Sequence, residues 1–366
     1  MSLLVRAARR CGRFLGIGAA VVAIGAAADF RAVLGGAGQD YAVAVASDAA
    51  GNTYVAGLAY SPDFPVTPGA VQTTFGGTSD AFIAKLGSDG KVIWSTYLGG
   101  ILDDGATGIA VDAGGNVIVS GWTRSQNFPL VKAIRTTLNG GASATDFDAF
   151  VAKIDPTGTK LIYSTFLGGP DHDYGLALAL DAAGNAYVTG TAQEAAGFTG
   201  LTSTASGYGS FVTKLDPGGA LVYSFFHARG GGAAIALDAA ANAYVTGRAL
   251  ASGPAGGTEP VLVYKVAADG SKQLFETTFG GSGNSDGTAI ALDRTGAIYV
   301  GGTTAALDFP LVNPIESSFN SRTIWKTTDG GLSWTPMENL PFTSPQTEHC
   351  IHGGLAQREF WLANGR

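Results

Sequence analysis

The stretch GIAVDAGGNVIVSG, residues 108–121, decides the fold. Two short apolar runs flank Asp-Ala-Gly-Gly, which puts Asp112 and Gly115 at the first and last positions of a four-residue turn. Asp caps such a turn by accepting from backbone N–H groups, and Gly takes the left-handed backbone that returns the chain. Apolar, β-branched runs of this length around a tight turn predict a β-hairpin. Four more stretches repeat the pattern: 43–57 (VAVASDAAGNTYVAG), 176–190 (LALALDAAGNAYVTG), 233–247 (AAIALDAAANAYVTG) and 289–302 (AIALDRTGAIYVGG). Their turn positions are Asp48, Gly51 and Asn52; Asp181, Gly184 and Asn185; Asp238 and Asn242; and Asp293 and Gly296, beside Asp112, Gly115 and Asn116. The fourth copy carries Ala241 where the others have Gly. That change costs about 1 kcal/mol where φ is positive.

A second hairpin pattern lies between these copies. It runs through residues 80–100 (DAFIAKLGSDGKVIWSTYLGG), 148–169 (DAFVAKIDPTGTKLIYSTFLGG), 210–226 and 261–281. In Asp155-Pro156-Thr157-Gly158 and Asp216-Pro217-Gly218-Gly219, Pro takes the second turn position, where its fixed φ suits a type I turn. Two hairpins per unit give four strands, the size of a propeller blade. Large apolar residues alternate with Ala, as in Leu176, Leu178 and Leu180. A sheet with one wet face alternates apolar with polar, so this alternation predicts cover on both faces. Between the hairpins stand Asp63-Phe64-Pro65, Asn127-Phe128-Pro129 and Asp308-Phe309-Pro310, where Phe is expected to be buried and Pro to end the strand. The expected fold is all-β: a β-propeller of about five four-stranded blades, or an incomplete or truncated ring.

These residues resemble the SBBP class of bacterial β-propeller repeats, whose signature combines D-x-x-GN-x-YVTG, DFP, DAFVAKLDP-x-G and YST-x-LGG. The resemblance covers roughly residues 34–318 and implies a secreted or surface-associated protein with no catalytic activity in the repeat. The third and fourth units depart from it: both lack DFP, and Arg229-Gly230-Gly231-Gly232 stands where LGG and an Asp-rich start would be. Further on, residues 321–336 (SRTIWKTTDGGLSWTP) resemble an Asp-box, with Thr327, Asp329, Gly331 and Trp334 in its places. An Asp-box is a strand–turn–strand brace and carries no chemistry.

The domain expectation is a signal peptide at 1–28, SBBP-like repeats at 29–318, an Asp-box hairpin at 319–341 and an atypical, disordered tail at 342–366. Arg6, Arg9, Arg10 and Arg13 precede an apolar stretch that closes on small residues at Ala26 and Ala28, the order of a secretory signal. Charged residues make up 14% of the 366-residue chain, against about a quarter in ordinary proteins. The 46% apolar content is too high for a disordered chain. The net charge of −7 makes a poor partner for nucleic acid or anionic lipid. Cys11 and Cys350 stand outside the repeats, which therefore use neither disulfides nor thiolate metal sites.

Little in the sequence carries chemistry. His349-Cys350-Ile351-His352 is too compact to close a tetrahedral metal site alone. Asp103-Asp104 and Asp171-His172-Asp173 open repeat units on loops and could take calcium, but the matching Gln39-Asp40 favours turn capping. Glycoside hydrolysis needs two placed acids, and none of the seven Glu precedes Glu194. No G-K-[ST] stands in the chain. Trp94 and Trp122 read as core residues before sugar platforms. The expectation is therefore no enzyme, no catalytic residue, no resident cofactor or metal, and no nucleic-acid partner. It is a secreted, periplasmic or cell-surface scaffold or binding module, not an integral membrane protein. Its ligand would be protein or polysaccharide, and an open ring would self-associate. The alternatives are a sialidase-like or lyase-type propeller enzyme and a fragment of a larger surface protein.

Overall fold

Every regular element in the described residues of the computed structural model is a β-strand. The structure describes residues 30–138, 147–201, 206–251 and 257–310. It also describes the backbone of short strands at Leu3–Leu4, Ala19–Ala23, Ile324–Thr327, Thr335–Pro336, Thr347–His349 and Ala363–Asn364. The signal at 1–28, the tail at 342–366, Cys11, Cys350, His352 and the Asp-box residues Asp329, Gly331 and Trp334 lie outside the described residues, apart from those strands.

Twenty strands form five four-stranded antiparallel sheets, each with its strands in sequence order. The first sheet is β1 (Asp40–Ser47), β2 (Thr53–Ala59), β3 (Asp80–Leu86) and β4 (Val92–Leu98). The second is β5 (Asp104–Val111), β6 (Val117–Thr123), β7 (Asp148–Ile154) and β8 (Leu161–Leu167). The third is β9 (Asp173–Leu180), β10 (Ala186–Glu194), β11 (Ser206–Leu215) and β12 (Leu221–His227). The fourth is β13 (Gly230–Leu237), β14 (Ala243–Ala249), β15 (Val261–Val266) and β16 (Gln273–Phe279). The fifth is β17 (Ser285–Leu292), β18 (Ile298–Thr304), β19 (Ile324–Thr327) and β20 (Thr335–Pro336). This is the blade architecture of a β-propeller, a meander of four strands per unit.

The chain divides into two compact units. One takes in Met1–Gly175, the Asp216–Ala220 turn and Gln346–Arg366; the other is Leu176–Leu215 with Leu221–Pro345. Buried side chains from both faces of the sheets make each core. In the first unit Ala56, Ile83, Val119, Phe150 and Phe166 belong to one cluster. In the second, Tyr187, Val212, Val245, Leu262 and Tyr264 do the same. β3 and β7 are buried at nearly every position, as expected of strands covered on both faces.

The glycine that ends YV-x-G sits where the first and second strands of a blade slip register. The slips fall between Ala42 and Ala44, and between Ala106 and Gly108. A Cβ on Gly57 or Gly121 would lie within about 2 Å of the Tyr41 or Gly105 carbonyl oxygen, so the backbones touch there.

One expectation needs correcting. Pro65 does not end a strand: β2 stops at Ala59, and Pro65 lies six residues into the connection. Phe64 and Phe128 are buried, but their partners are the third strand, with Phe64 at 4.5 Å from Phe82 and Phe128 at 4.6 Å from Phe150. The third unit lacks the DFP sequence yet fills the same place, since Phe198 stacks 4.7 Å from Phe211.

Candidate functional site

The two ends of each blade differ in kind. One end carries the tight turns. There the Asp48 carboxylate accepts from the backbone N–H groups of Ala50 and Asn52, the Asn52 amide and the Tyr54 hydroxyl, at 2.7–3.0 Å. Gly51 closes the turn by donating to the Asp48 carbonyl. The same cage recurs at Asp112 with Gly115 and Asn116, at Asp181 with Gly184, Asn185 and Tyr187, and at Asp238 with Asn242 and Tyr244. At Asp293 with Gly296, Thr295 and Tyr299 take part. Third-strand lysines reach these turns: Lys153 lies 2.9 Å from Asp112 and Lys265 3.0 Å from Asp238. Partial burial works to raise these carboxyl pKa values, and the Asn and Lys contacts outweigh it, so Asp112 and Asp238 titrate below the ordinary range. Thr327 lies in β19, and the rest of the Asp-box is outside the described residues.

In the second, third and fourth blades the turn of the second hairpin is a plug. Gly158 sits on Trp94, whose indole N–H donates to the Pro156 carbonyl at 3.0 Å. Gly219 sits in the same way on Tyr163, and Gly270 on Tyr223. A Cβ on any of the three would come within 2.5 Å of a ring carbon, so no other residue fits. Trp94 is buried beneath its plug.

The opposite end carries the long connections, and with them a sealed acidic feature. Asp104 opens β5 and accepts from the Gly100 N–H and from the Thr123 and Ser125 hydroxyls. Asp80 opens β3 and accepts from the Gly76 N–H and Gln72, while its Oδ1 has no partner. A Cβ on Gly99 would lie 2.7 Å from Asp80 Oδ1 and 2.8 Å from Asp104 Oδ2, so the two carboxyls face each other within about 5.5 Å. Asp148 and Asp173 repeat this across Gly168, and the Gly169 N–H donates to Asp173. All four carboxyls are inaccessible, at 0–1% exposure. Burial, augmented by the neighbouring carboxyl, raises Asp104 to about 7 and Asp173 to about 8. Asp40, with Gln39 beside it, accepts from Gly36, Tyr60 and Ser61 and belongs to no such pair in the described residues.

Next to these pairs, half-buried rings gather around Phe147. Trp122 meets it edge-on at 5.0 Å, Tyr174 lies at 5.2 Å and His172 at 5.9 Å. The Arg124 guanidinium stands over the Phe147 ring at 5.2 Å and pairs with Asp103 at 2.7 Å. Trp122 is therefore only partly a core residue, and Asp103 serves Arg124. Spacing hides this group, because its members come from strand ends up to fifty residues apart. The sequence signal was a Trp and an Arg at alternate positions closing β6. In the second unit the matching end holds Arg248, clamped by Glu259 and Asp286, beside the exposed Tyr208.

A meander of four-stranded blades with aromatic-bearing connections defines a β-propeller repeat protein. Residues 93–129 match the SBBP β-propeller repeat family. That stretch takes in most of β4, then β5, β6 and the Asn-Phe-Pro connection, so the sequence repeat is out of phase with the sheet. The chain is also similar to a WD repeat-containing protein of Acanthamoeba polyphaga mimivirus, 33% identical over 85 residues. That match covers 23% of this chain, and the chain spans only 6% of the viral protein.

Proposed function

We propose that the chain is a non-catalytic scaffold and binding module, secreted or displayed at a cell surface, that takes a protein or polysaccharide ligand on its long-connection end. The ring cluster of Trp122, Phe147, Tyr174 and His172 beside Arg124 carries this reading. Half-buried rings with a planar cation suit stacking on a sugar or a peptide side chain. Connections between strands vary more than strands do, and scaffold proteins place their recognition there. The three carboxyls with raised pKa values, Asp80, Asp104 and Asp173, are sealed from solvent and hold backbone turns, which is support for a binding role over acid–base work. Among the described residues no helix is long and apolar enough to cross a membrane.

The test is binding of the full chain to soluble polysaccharides and to arrayed peptides, with product analysis on every ligand retained. Trp122→Ala and Phe147→Ala are expected to weaken binding at least tenfold while the ligand stays intact. Cleavage of a bound polysaccharide, or binding indifferent to both changes, would overturn the reading.

A further inference from the structure

The outermost strand of a blade has one backbone edge without a partner inside the sheet, and in the first two blades a segment of the connection covers it. Beyond Phe64 the chain runs along β4: the Thr67 N–H donates to the Ser95 carbonyl, and the Tyr97 N–H to the Gln72 carbonyl. The Thr96 hydroxyl accepts from the Gln72 N–H, and the Ser95 hydroxyl donates to the Pro65 carbonyl. Beyond Phe128, Val131 and Ser164 exchange both backbone hydrogen bonds, and the Thr165 hydroxyl accepts from the Ile134 and Arg135 N–H groups. The Ser-Thr of the YST motif is thus the dock for a strap that the Phe anchors. Under the straps the last five residues of β4 and of β8 are buried.

The fourth blade has neither part. Its connection contains no Phe, and Glu276-Thr277 replaces Ser-Thr. Among the described residues nothing bonds to the outward backbone groups of Leu274, Glu276 and Thr278. β16 alternates half-buried and exposed along its whole length, with Leu274 at 43% exposure. An open, regular edge of this kind is a template for another strand.

We propose that the outer edge of β16 is a docking site for an extended segment of a partner protein, aliphatic and neutral or basic, added to the sheet as the strap is added to β8. The chemistry of the occupant follows from the straps themselves. Residues 128–138 (FPLVKAIRTTL) supply aliphatic side chains, two cations and a proline that keeps the entry extended. The edge offers Leu274 for the aliphatic contact and, as the one acidic group on the strand, Glu276, whose carboxylate is also held by His227 at 3.1 Å and Gln273 at 2.9 Å. A second copy of the chain fits less well, because each copy carries −7 and brings its own Glu276 to the edge. Recognition would be β-augmentation, with affinity from main-chain hydrogen bonds and selectivity from alternate side chains.

The test uses the full chain and a synthetic peptide of residues 128–138, followed by hydrogen exchange and calorimetry. Added peptide is expected to slow exchange at Leu274, Glu276 and Thr278 and to leave β4 and β8 unchanged. Thr278→Pro removes one outward donor at an edge where proline is tolerated, and should weaken binding at least tenfold, whereas Thr278→Val should not. Replacing the peptide's Lys and Arg by Glu should weaken it likewise. Equal protection by a scrambled peptide, no protection of β16, or light scattering that shows β16 already sealed by self-association would each overturn the proposal.

Discussion

The second and fourth blades share a strand order and a turn chemistry but differ in how they are finished. The second has a buried carboxyl on its first strand and another on its third, a Phe-anchored strap and a covered outer edge. The fourth has Gly230 and Val261 at the matching strand starts, no anchor Phe and an outer strand exposed at every second residue. The hairpin pattern is therefore enough to make a blade, and the strap and the carboxyl pairs are additions to it. What the additions do can be tested by making one blade behave like the other.

The largest effect should come from the strap anchor. Phe128→Ala removes a fully packed ring and is expected to cost about 3–5 kcal/mol, read as a lower denaturation midpoint. Hydrogen exchange should quicken at Ser164, because the bonds between Val131 and Ser164 depend on the anchored connection. Phe198→Ala should cost a comparable amount through lost contact with Phe211, yet leave exchange along β12 unchanged. Leu201 turns back to donate to the Phe198 carbonyl, where the matching Val131 of the second blade bonds to the outer strand. If both variants loosen their outer strands equally, the strap is not what covers an edge.

The next effect separates the units by pH. The groups around Asp104 are Asp80, Thr123, Ser125 and the Gly100 N–H; those around Asp173 are Asp148, Asp171, Arg135 and the Gly169 N–H. Both pKa values are raised above the unfolded value of 3.8, so the folded chain holds protons that the unfolded chain has released. The stabilisation is complete below pH 4 and is lost as pH rises to about 7 at Asp104 and about 8 at Asp173. A loss on the order of 2–4 kcal/mol in the first unit is expected, followed as faster exchange in β5 and at Asp173–Gly175 between pH 5 and 8. β16 should show no such trend beyond intrinsic exchange. Asp80→Asn gives its neighbour a hydrogen-bond donor in place of a like charge, and should raise stability at pH 8 by about 1 kcal/mol and flatten the profile. A profile unchanged by Asp80→Asn would mean that the pair does not share its protonation.

These differences mark where the sequence was legible. The all-β, four-stranded architecture could be read because each hairpin encodes its own turn: Asp112 and Gly115 are adjacent in sequence and in space. The straps could not, since residues 129–135 have no period and their partner is the edge of a strand thirty residues on. Phe198 was missed because it lacks the flanking Asp and Pro, although packing needs only the ring. The carboxyl pairs were hidden for a related reason. Asp80 reads only as the start of a hairpin and Asp104 as a turn cap, and only the approach of two sheets at Gly99 shows that the two carboxyls face each other. Trp122 read as a core residue because strand position says which face a side chain takes, not how deep that face lies.

The smallest effect concerns the one turn that breaks its own rule. Ala241 has φ 63°, where the corresponding Gly51, Gly115, Gly184 and Gly296 have φ between 77° and 86°. A left-handed backbone costs a residue with a Cβ about 1 kcal/mol or somewhat more. Relief of that strain alone would make Ala241→Gly return all of it, but two effects oppose. Glycine gives the unfolded chain more freedom, worth about 0.4–1 kcal/mol. The Ala241 methyl also packs against the core cluster of Val245, Leu262 and Tyr264, and a buried methyl contributes up to about 0.8 kcal/mol. The net change should lie within about 0.5 kcal/mol of zero. Gly184→Ala places the same strain in the third blade and should cost about 1 kcal/mol. Thermal unfolding of the two variants in one buffer reads the difference. Equal and opposite shifts would mean that Ala241 makes no useful contact and that the fourth blade simply tolerates its strain.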